Sequence, residues 1–261
     1  MFLTIKKIFS FKKSHFLPTN ISVVIPYYSN TIGLTTILLL LQQQTKRIKN
    51  ITIIDSSKEQ SAKMIVDYVR LPSTNVKIIA NFEGNIYQAW NKGIKQSKKS
   101  DYLILNDDIL IPLNFIEILS ALKQKGHLCY VPTAAWKGAR IENIDENFTW
   151  MTKTLQIKLT PTQWMKGFCF FLPEKTVEKV GLFDESFSIW FGDDDYQMRL
   201  LDYARKYNLE AIVEIFGCYV FHYGRKSYSK VVKKEFKTNV LKDKKKFEKK
   251  WKIKVNDFSI E

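Results

Sequence analysis

The sequence predicts an α/β protein with a mixed, mainly parallel sheet flanked by helices. Two observations carry this expectation. Short runs rich in branched and aromatic side chains alternate with helix-forming segments from Ile21 to Lys125, the pattern of βαβ units. One of those runs, Tyr102–Leu105, stops abruptly at Asn106, Asp107 and Asp108. That places polar side chains at the carboxyl end of a buried strand, where open α/β sheets hold their ligands. With 261 residues, 45% of them hydrophobic and 14% aromatic, the chain is a globular composition able to bury one sizeable core with a small appendage.

Each element follows from its local pattern. Ile21–Ile25 is a buried strand closed by Pro26, and Leu34–Gln43 carries helix formers with an apolar face. Ile51–Ile54 is a second strand ending on Asp55, Ser56 and Ser57, with a helix through Ile65, Val66 and Val69. Val76–Ala80, a helix over Asn85–Gln96, and the strand Tyr102–Leu105 continue the alternation. Pro112 opens a helix running from Leu113 to Lys125, and His127–Val131 is another strand. Residues 133–163 are weakly patterned and rich in Trp, Thr and Asn, as expected of a functional loop or flap. Gly167–Leu172 resumes a buried strand, and Pro173 opens a short helix ending at Val180. Asp193, Asp194 and Asp195 lead into a helix over Tyr196–Leu201, and Ala211–Ile215 and Cys218–Phe221 read as two closing strands before His222.

Charge divides the chain into three parts. Residues 1–20 carry four lysines and no acid, and residues 225–261 carry 14 basic and 5 acidic side chains. Residues 21–224 carry 23 basic and 21 acidic side chains, so the net +15 resides mainly in the two ends. A basic leader (1–20), a nearly neutral body (21–224) and a basic tail (225–261) are expected. The neutral body argues against a nucleic-acid groove built into the fold. Phe2, Leu3, Ile5, Ile8, Phe9, Phe11 and Phe16 alternate with lysines in the leader, which reads either as a surface helix on an anionic membrane or as a frayed end. Val232, Phe236, Val240, Phe247 and Trp251 share one helical face in the tail. That face either packs on the body or lies on an anionic membrane.

Several classes are excluded. No apolar run approaches the ~20 residues of a membrane span. Lys6, Lys7, Lys12 and Lys13 interrupt any signal-peptide core, so a cytoplasmic protein is expected. Cys129, Cys169 and Cys218 are odd in number and far apart, as reduced structural thiols are. No G-x-G-x-x-G follows the first strand, and the chain has neither a phosphate-binding G-x-x-x-x-G-K-[ST] loop nor a G-x-S-x-G elbow.

The two acidic clusters have two readings each. Hard cations such as Mg²⁺ or Mn²⁺ prefer oxygen ligands and bridge carboxylates to nucleotide phosphates. A polar turn capping the next helix also accounts for Asn106-Asp107-Asp108. Three consecutive carboxylates beside Trp190 and Phe191 need a metal, a basic partner or a helix N-terminus to compensate them.

Seven motifs in order carry a resemblance over residues 20–224. They are Ser22-Val23-Val24-Ile25-Pro26-Tyr27-Tyr28, Ile54-Asp55-Ser56-Ser57, Asn85 through Gly93, Leu105-Asn106-Asp107-Asp108, Gly167-Phe168-Cys169-Phe170, Gly181-Leu182-Phe183-Asp184-Glu185, and Asp193 through Arg199. The chain resembles a family 2 glycosyltransferase, which implies a GT-A, Rossmann-like fold and inverting transfer from a nucleotide-diphosphate sugar with a UDP or dTDP carrier.

The resemblance further implies that Pro26, Tyr27, Asp55, Asn91, Asn106 and Asp107 form the donor side, with Gly93 packing nearby. Asp108 and His222 would hold Mn²⁺ or Mg²⁺, and Asp193 would be the catalytic base. Trp164, Gly167, Trp190 and Asp194 would line the acceptor side, where a glycan or lipid-linked hydroxyl enters. Two positions depart from the family pattern: Asn106 stands at the first place of its D-x-D, and Gly192 stands where Glu often precedes the base. An inverting transfer needs one carboxylate for the acceptor proton and stabilisation of the departing diphosphate, which these groups match. A non-catalytic glycan- or nucleotide-binding protein on a decayed scaffold is the alternative. A nucleotidyltransferase lacks its Gly-rich signature loop here, and binding of nucleic acid through the lysine-rich ends has no recognition module behind it.

Overall fold

The computed structural model describes residues 19–82, 84–97, 99–122, 126–136, 157–224 and 233–255. Nearly all of the basic leader, residues 137–156 of the weakly patterned stretch and residues 225–232 and 256–261 of the tail lie outside these residues; of the tail's expected apolar face, Val232 and the side chain of Phe236 are therefore outside the description.

Strand β1 (Ile21–Tyr27) is followed by α1 (Thr31–Gln42), β2 (Asn50–Asp55), α2 (Ala62–Val69), β3 (Asn75–Ala80), α3 (Ile86–Gln96) and β4 (Asp101–Leu105). The four strands pair in parallel in the order β3-β2-β1-β4. Strands β1, β2 and β4 are covered on both faces, which is why they read as continuous apolar runs, while β3 lies at the edge and is half-buried to exposed. Val23, Ile25, Ile51, Ile53, Leu103 and Leu105 face a core shared with α1 and α2. Val24, Ile54, Tyr102 and Ile104 face the opposite core, which contains Tyr87, Trp90 and Ile94 of α3. Gly93 lets α3 approach β1 closely: a Cβ there would meet Val24 Cγ1 at 2.2 Å.

The second half is β5 (Ile109–Leu110), α4 (Phe115–Leu122), β6 (Cys129–Trp136), β7 (Lys158–Thr162), β8 (Cys169–Leu172), α5 (Glu174–Val180), α6 (Gly192–Tyr207), β9 (Ile212–His222) and α7 (Lys233–Trp251). It extends the sheet beyond β4 in the order β8-β6-β9-β5, with β7 also on β9. The β4–β8, β8–β6, β9–β5 and β9–β7 pairs are antiparallel, and β6–β9 is parallel. The nine-stranded sheet is therefore mixed, with the parallel run confined to its first half plus one pair.

Several elements depart from the sequence reading. The two closing strands are one, β9, whose pairing with β6 jumps from Ile215 to Tyr219 across a bulge containing Gly217 at φ 92°. A bulge bends the strand and re-aims its end, and here that end reaches β5, with His222 opposite Ile109. The two-residue β5 is too short for a periodic signal. Strand β7 carries Pro161 and, among the described residues, pairs only with β9, the edge position where proline is tolerated. Helix α4 starts at Phe115, not at Pro112, and α6 starts at Gly192, so all three aspartates fall in its first turn. There they meet the positive end of the helix dipole, and Arg205 and Lys206 occupy the last turn.

Helix α7 buries Val240 and Phe247 against the body, with Phe247 in the core shared by α3 and α6. Each such side chain contributes about 1.5–3 kcal/mol by leaving water. Cys129, Cys169 and Cys218 are buried free thiols whose pKa values burial raises. Among the described residues no helix is long and apolar enough to cross a membrane.

Candidate active site

The carboxyl end of β4 is tied to its neighbours before it exposes anything to a ligand. The Asn106 N–H donates to the Phe168 carbonyl at 2.9 Å, just ahead of β8. Asn30 caps α1 by accepting from the Gly33 N–H at 3.1 Å, while its Nδ2 donates to the Asp107 carbonyl at 3.1 Å. A Cβ at Gly33 would stand 1.9 Å from that carbonyl. The β1–α1 loop and the Asn106–Asp108 turn are thus packed backbone to backbone.

Asp107 and Asp108 are buried, at 5% and 8% exposure. Burial, reinforced by the neighbouring Asp108 charge, pushes the Asp107 carboxyl up to about 8. Among the described residues, Asn106 Oδ1 and Asp107 Oδ2 are buried without a hydrogen-bond partner. Asp108 Oδ1 lies 3.3 Å from His222 Nε2, across the β5–β9 pair. The Asp108 carbonyl accepts from the Tyr223 N–H at 2.9 Å, and the His222 ring stacks on Phe168 with centroids 4.1 Å apart.

This donor set fits a hard divalent cation. It joins one carboxylate to one imidazole beside buried oxygens that have no partner among the described residues; the oxygens suit Mn²⁺ or Mg²⁺, and the imidazole favours Mn²⁺ of the two. Among the described residues no group of three or more His, Cys, Asp or Glu side chains forms a complete cage. Two protein ligands with substrate phosphates completing the shell is the ordinary arrangement for a nucleotide-bound Mg²⁺.

The triple aspartate divides into distinct roles by geometry. Asp195 is fully buried and spent on structure. It receives Arg199 Nε at 3.1 Å, Trp251 Nε1 at 3.0 Å and Lys250 Nζ at 2.7 Å. Asp193 and Asp194 are only partly buried at their surfaces. Asp193 is nonetheless crowded by protein, and desolvation raises its pKa against the opposing pull of the Asp193 and Asp194 N–H groups and the Tyr87 hydroxyl. Asp194 is pushed up to about 7, by burial first and the Asp193 charge second.

Asp193 is seated against Gly167. A Cβ at position 167 would stand 2.2 Å from Asp193 Oδ2. Because Phe168 stacks on His222, adjacent residues of one strand entry touch the Asp193 carboxylate and the Asp108–His222 pair. Tyr87 holds the other side: its hydroxyl donates to Asp193 Oδ1 at 3.4 Å and accepts from the Gly192 N–H at 3.0 Å. A Cβ on Gly192 would stand 2.4 Å from the Tyr87 ring. This ring occupies the space that a side chain at position 192 would need, which accounts physically for glycine there.

The remaining candidates sit as follows. Pro26 and Tyr27 end β1, both buried, and the Tyr27 hydroxyl bonds to Ser61 Oγ at 2.7 Å. Tyr28, next to it, is 42% exposed and presents the more open ring. The Asp55 carboxylate accepts from the Ser57 N–H at 2.8 Å, the Ser57 hydroxyl at 2.5 Å and the Ala62 N–H at 3.1 Å, and so shapes the β2–α2 turn. Asn91 is an internal strut. Its Nδ2 donates to the Phe183 carbonyl and Glu185 Oε1, and its Oδ1 accepts from the Phe183 N–H, all within 2.9 Å. Trp164 is 70% exposed beyond β7, and Trp190 is half-buried in the loop before α6.

Sequence reasoning did not single out Asn30, Tyr87 or Asp243. Asn30 had a readable signal, an N-cap residue ahead of an apolar helix. Tyr87 carries no local signal beyond one aromatic in a helical segment, and Asp243 none beyond one acid among lysines.

Residues 22–181, more than half of the chain, match the family described as Glycosyl transferase family 2. This chain belongs to that family. Among solved structures, GalNAc-T7 with UDP, GalNAc and Mn²⁺ aligns with a TM-score of 0.57 at 19% identity, over 82% of this chain and 45% of that one. The TarS 1-349 fragment from S. aureus in complex with UDP-GlcNAc aligns with a TM-score of 0.60 at 15% identity, over 81% of this chain and 61% of that one. TarS 1-349 alone gives 0.59 at 14% identity, over 85% and 65%. This family 2 chain thus has a GT-A fold and spans less than two thirds of these relatives' lengths. No curated protein matches its sequence. The family match covers β1 to α5, while Asp193, His222 and α7 lie beyond residue 181.

Proposed function

We propose that this glycosyltransferase moves a sugar from a UDP- or dTDP-sugar to a hydroxyl of a glycan or lipid-linked acceptor, with inversion and with a divalent metal. The observation that carries the reading is the seating of Asp193 against Gly167, one residue from the Phe168 ring that stacks on His222 beside Asp108. A proton acceptor and a cation-binding pair are thereby linked through adjacent backbone positions.

Asp193 takes the proton of the acceptor hydroxyl as that oxygen attacks the anomeric carbon. Desolvation strengthens it as a base by raising its pKa, and the Tyr87 hydroxyl fixes one oxygen so that the other faces the Gly167 side. Asp108 and His222 would hold Mn²⁺ or Mg²⁺, which supplies Lewis-acid stabilisation of the departing diphosphate. Asn106 and Asp107 bring buried oxygens to the same end of β4. Pro26 and Tyr27 form the floor of the nucleotide pocket, and Asp55 and Asn91 support it at one remove by holding the β2–α2 turn and the 183–185 segment. Trp164, Trp190, Gly167 and Asp194 form the acceptor side. The lysine-rich ends keep the enzyme near an anionic, lipid-linked acceptor at the cytoplasmic membrane face.

A panel of nucleotide sugars with Mn²⁺, with Mg²⁺ and with chelator tests this. One donor should bind only with metal. Asp108→Ala should lose that binding, and Asp193→Asn should keep binding but lose turnover. Absence of binding for every donor and metal would overturn the proposal.

A further inference from the structure

Helix α7 lies outside the family match, yet it grips the segment that carries Asp193 from both sides. Upstream, the Asp243 carboxylate, 2% exposed, gathers a run of donors from one loop. It accepts from the Ser188 N–H at 3.0 Å, the Ser188 hydroxyl at 2.7 Å, the Ile189 N–H at 2.9 Å and the Trp190 N–H at 3.2 Å. Downstream, Lys250 and Trp251 hold Asp195 at 2.7 and 3.0 Å. Between these contacts Phe247 packs on Phe191, centroids 5.3 Å apart. Lys246 donates to the Ser186 carbonyl, and Lys250 also pairs with Asp184 at 2.8 Å.

The chemistry of this grip is specific. Three consecutive backbone N–H groups form a concave cradle that favours an anion, and a carboxylate from the far end of the chain fills it. Such charge-assisted bonds are roughly twice as strong as neutral ones. The cradle sits immediately before Phe191, which takes a left-handed conformation (φ 66°) as the N-cap of α6 without any side-chain cap of its own. What holds residues 188–190 therefore acts on the entry of α6 from the upstream side, while Tyr87 holds the Gly192 N–H and Asp193 Oδ1 from the other.

We infer that Asp243 is a positioning residue for this active site: through the Ser188–Trp190 loop it fixes Asp193 and Trp190, making α7 a brace that the transfer reaction requires. The effect on turnover rests on the proposed function, whereas the brace itself has a readout that does not.

The full chain carrying Asp243→Ala or Asp243→Asn is compared with the parent by three measurements. These are turnover with the donor found above, affinity for UDP or dTDP with Mn²⁺, and hydrogen exchange across the chain. Misplacing a reacting group by an ångström costs on the order of 100-fold in rate. Asp243→Ala should thus lower kcat about 10- to 100-fold, with nucleotide affinity held within about twofold. Exchange should rise in peptides spanning 186–195 while β1–β4 keep parent protection. Asp243→Asn, which retains one accepting oxygen, should recover part of kcat. Turnover within about twofold of the parent, or a loss of kcat matched by an equal loss of nucleotide affinity and protection throughout the chain, overturns the inference. If the parent shows no transfer with any donor, the functional proposal falls, and exchange at 186–195 still decides the brace: unchanged exchange in Asp243→Ala refutes it.

Discussion

Asp193 Oδ2 occupies the space where Gly167 would carry a Cβ, at 2.2 Å. The backbone of one strand entry and the carboxylate of the helix opposite are therefore in direct contact, and no side chain larger than hydrogen fits between them. Overpacking of a filled site costs about 1–3 kcal/mol and shifts what it touches. Gly167→Ala should leave the protein folded, with metal-dependent nucleotide binding intact, and should cut kcat by about 10-fold or more. Steady-state kinetics beside nucleotide titration check this. Parent kcat in the variant would mean that the Asp193 carboxylate does not need that position.

The ionisation of Asp193 sets a pH limb. Only its carboxylate form accepts a proton, and burial raises its pKa. Turnover should therefore fall as pH drops, beginning above the ordinary carboxylate range of about 4. Tyr87→Phe removes a hydroxyl whose hydrogen bond lowers that pKa. The limb should move to higher pH in the variant, as read from kcat/KM against pH. A limb that stays put or moves to lower pH would separate Tyr87 from the ionisation of Asp193.

Asp194 carries a stability consequence of opposite sense to the usual paired carboxylate. Its pKa is raised to about 7 on folding. Below its unfolded value both states hold the proton and nothing is lost. As pH rises from there to about 7 the unfolded chain ionises while the folded state keeps the proton, so stability falls through this window and the loss is complete above it. Asp194→Asn should raise Tm at pH 8 and leave it nearly unchanged at pH 4. Thermal melts at the two pH values decide, and a variant less stable at pH 8 would contradict the assignment.

Asp184 behaves in the ordinary sense. Burial raises its pKa, but the bonds from Lys250 and Ser186 outweigh that and hold it down at about 2. The stability it contributes is full above its unfolded pKa near 4 and fades as pH falls toward 2. Lys250→Ala should lower Tm at pH 7, and the difference from the parent should shrink on acidification below pH 4. A difference independent of pH would place the role of Lys250 in packing alone.

Much of the first half is legible in local sequence pattern. Strands β1, β2 and β4 are buried on both faces, so apolar runs alone announce them, and β3 follows from the alternation with helices. Local chemistry also marked the acid clusters, because consecutive carboxylates beside apolar segments demand compensation wherever they fold. The second half was less readable for identifiable reasons. Strand β5 has two residues, β7 holds a proline, and β9 conceals its continuity behind the Gly217 bulge.

Pairwise meetings of distant residues were beyond local pattern altogether. Composition and periodicity determine which segments are strands, which helices are amphipathic and where acids gather. They act over one turn or one strand. Whether a given carboxylate is free for a ligand depends on which donors arrive from elsewhere. Asp195 is consumed by Lys250 and Trp251, Asn91 by Phe183 and Glu185, and Asp243 by the 188–190 loop, while Asp193 faces Gly167. Those partners converge only once the sheet and its helices pack, because hydrogen bonds act over about 3 Å and the chain brings such atoms together only by folding.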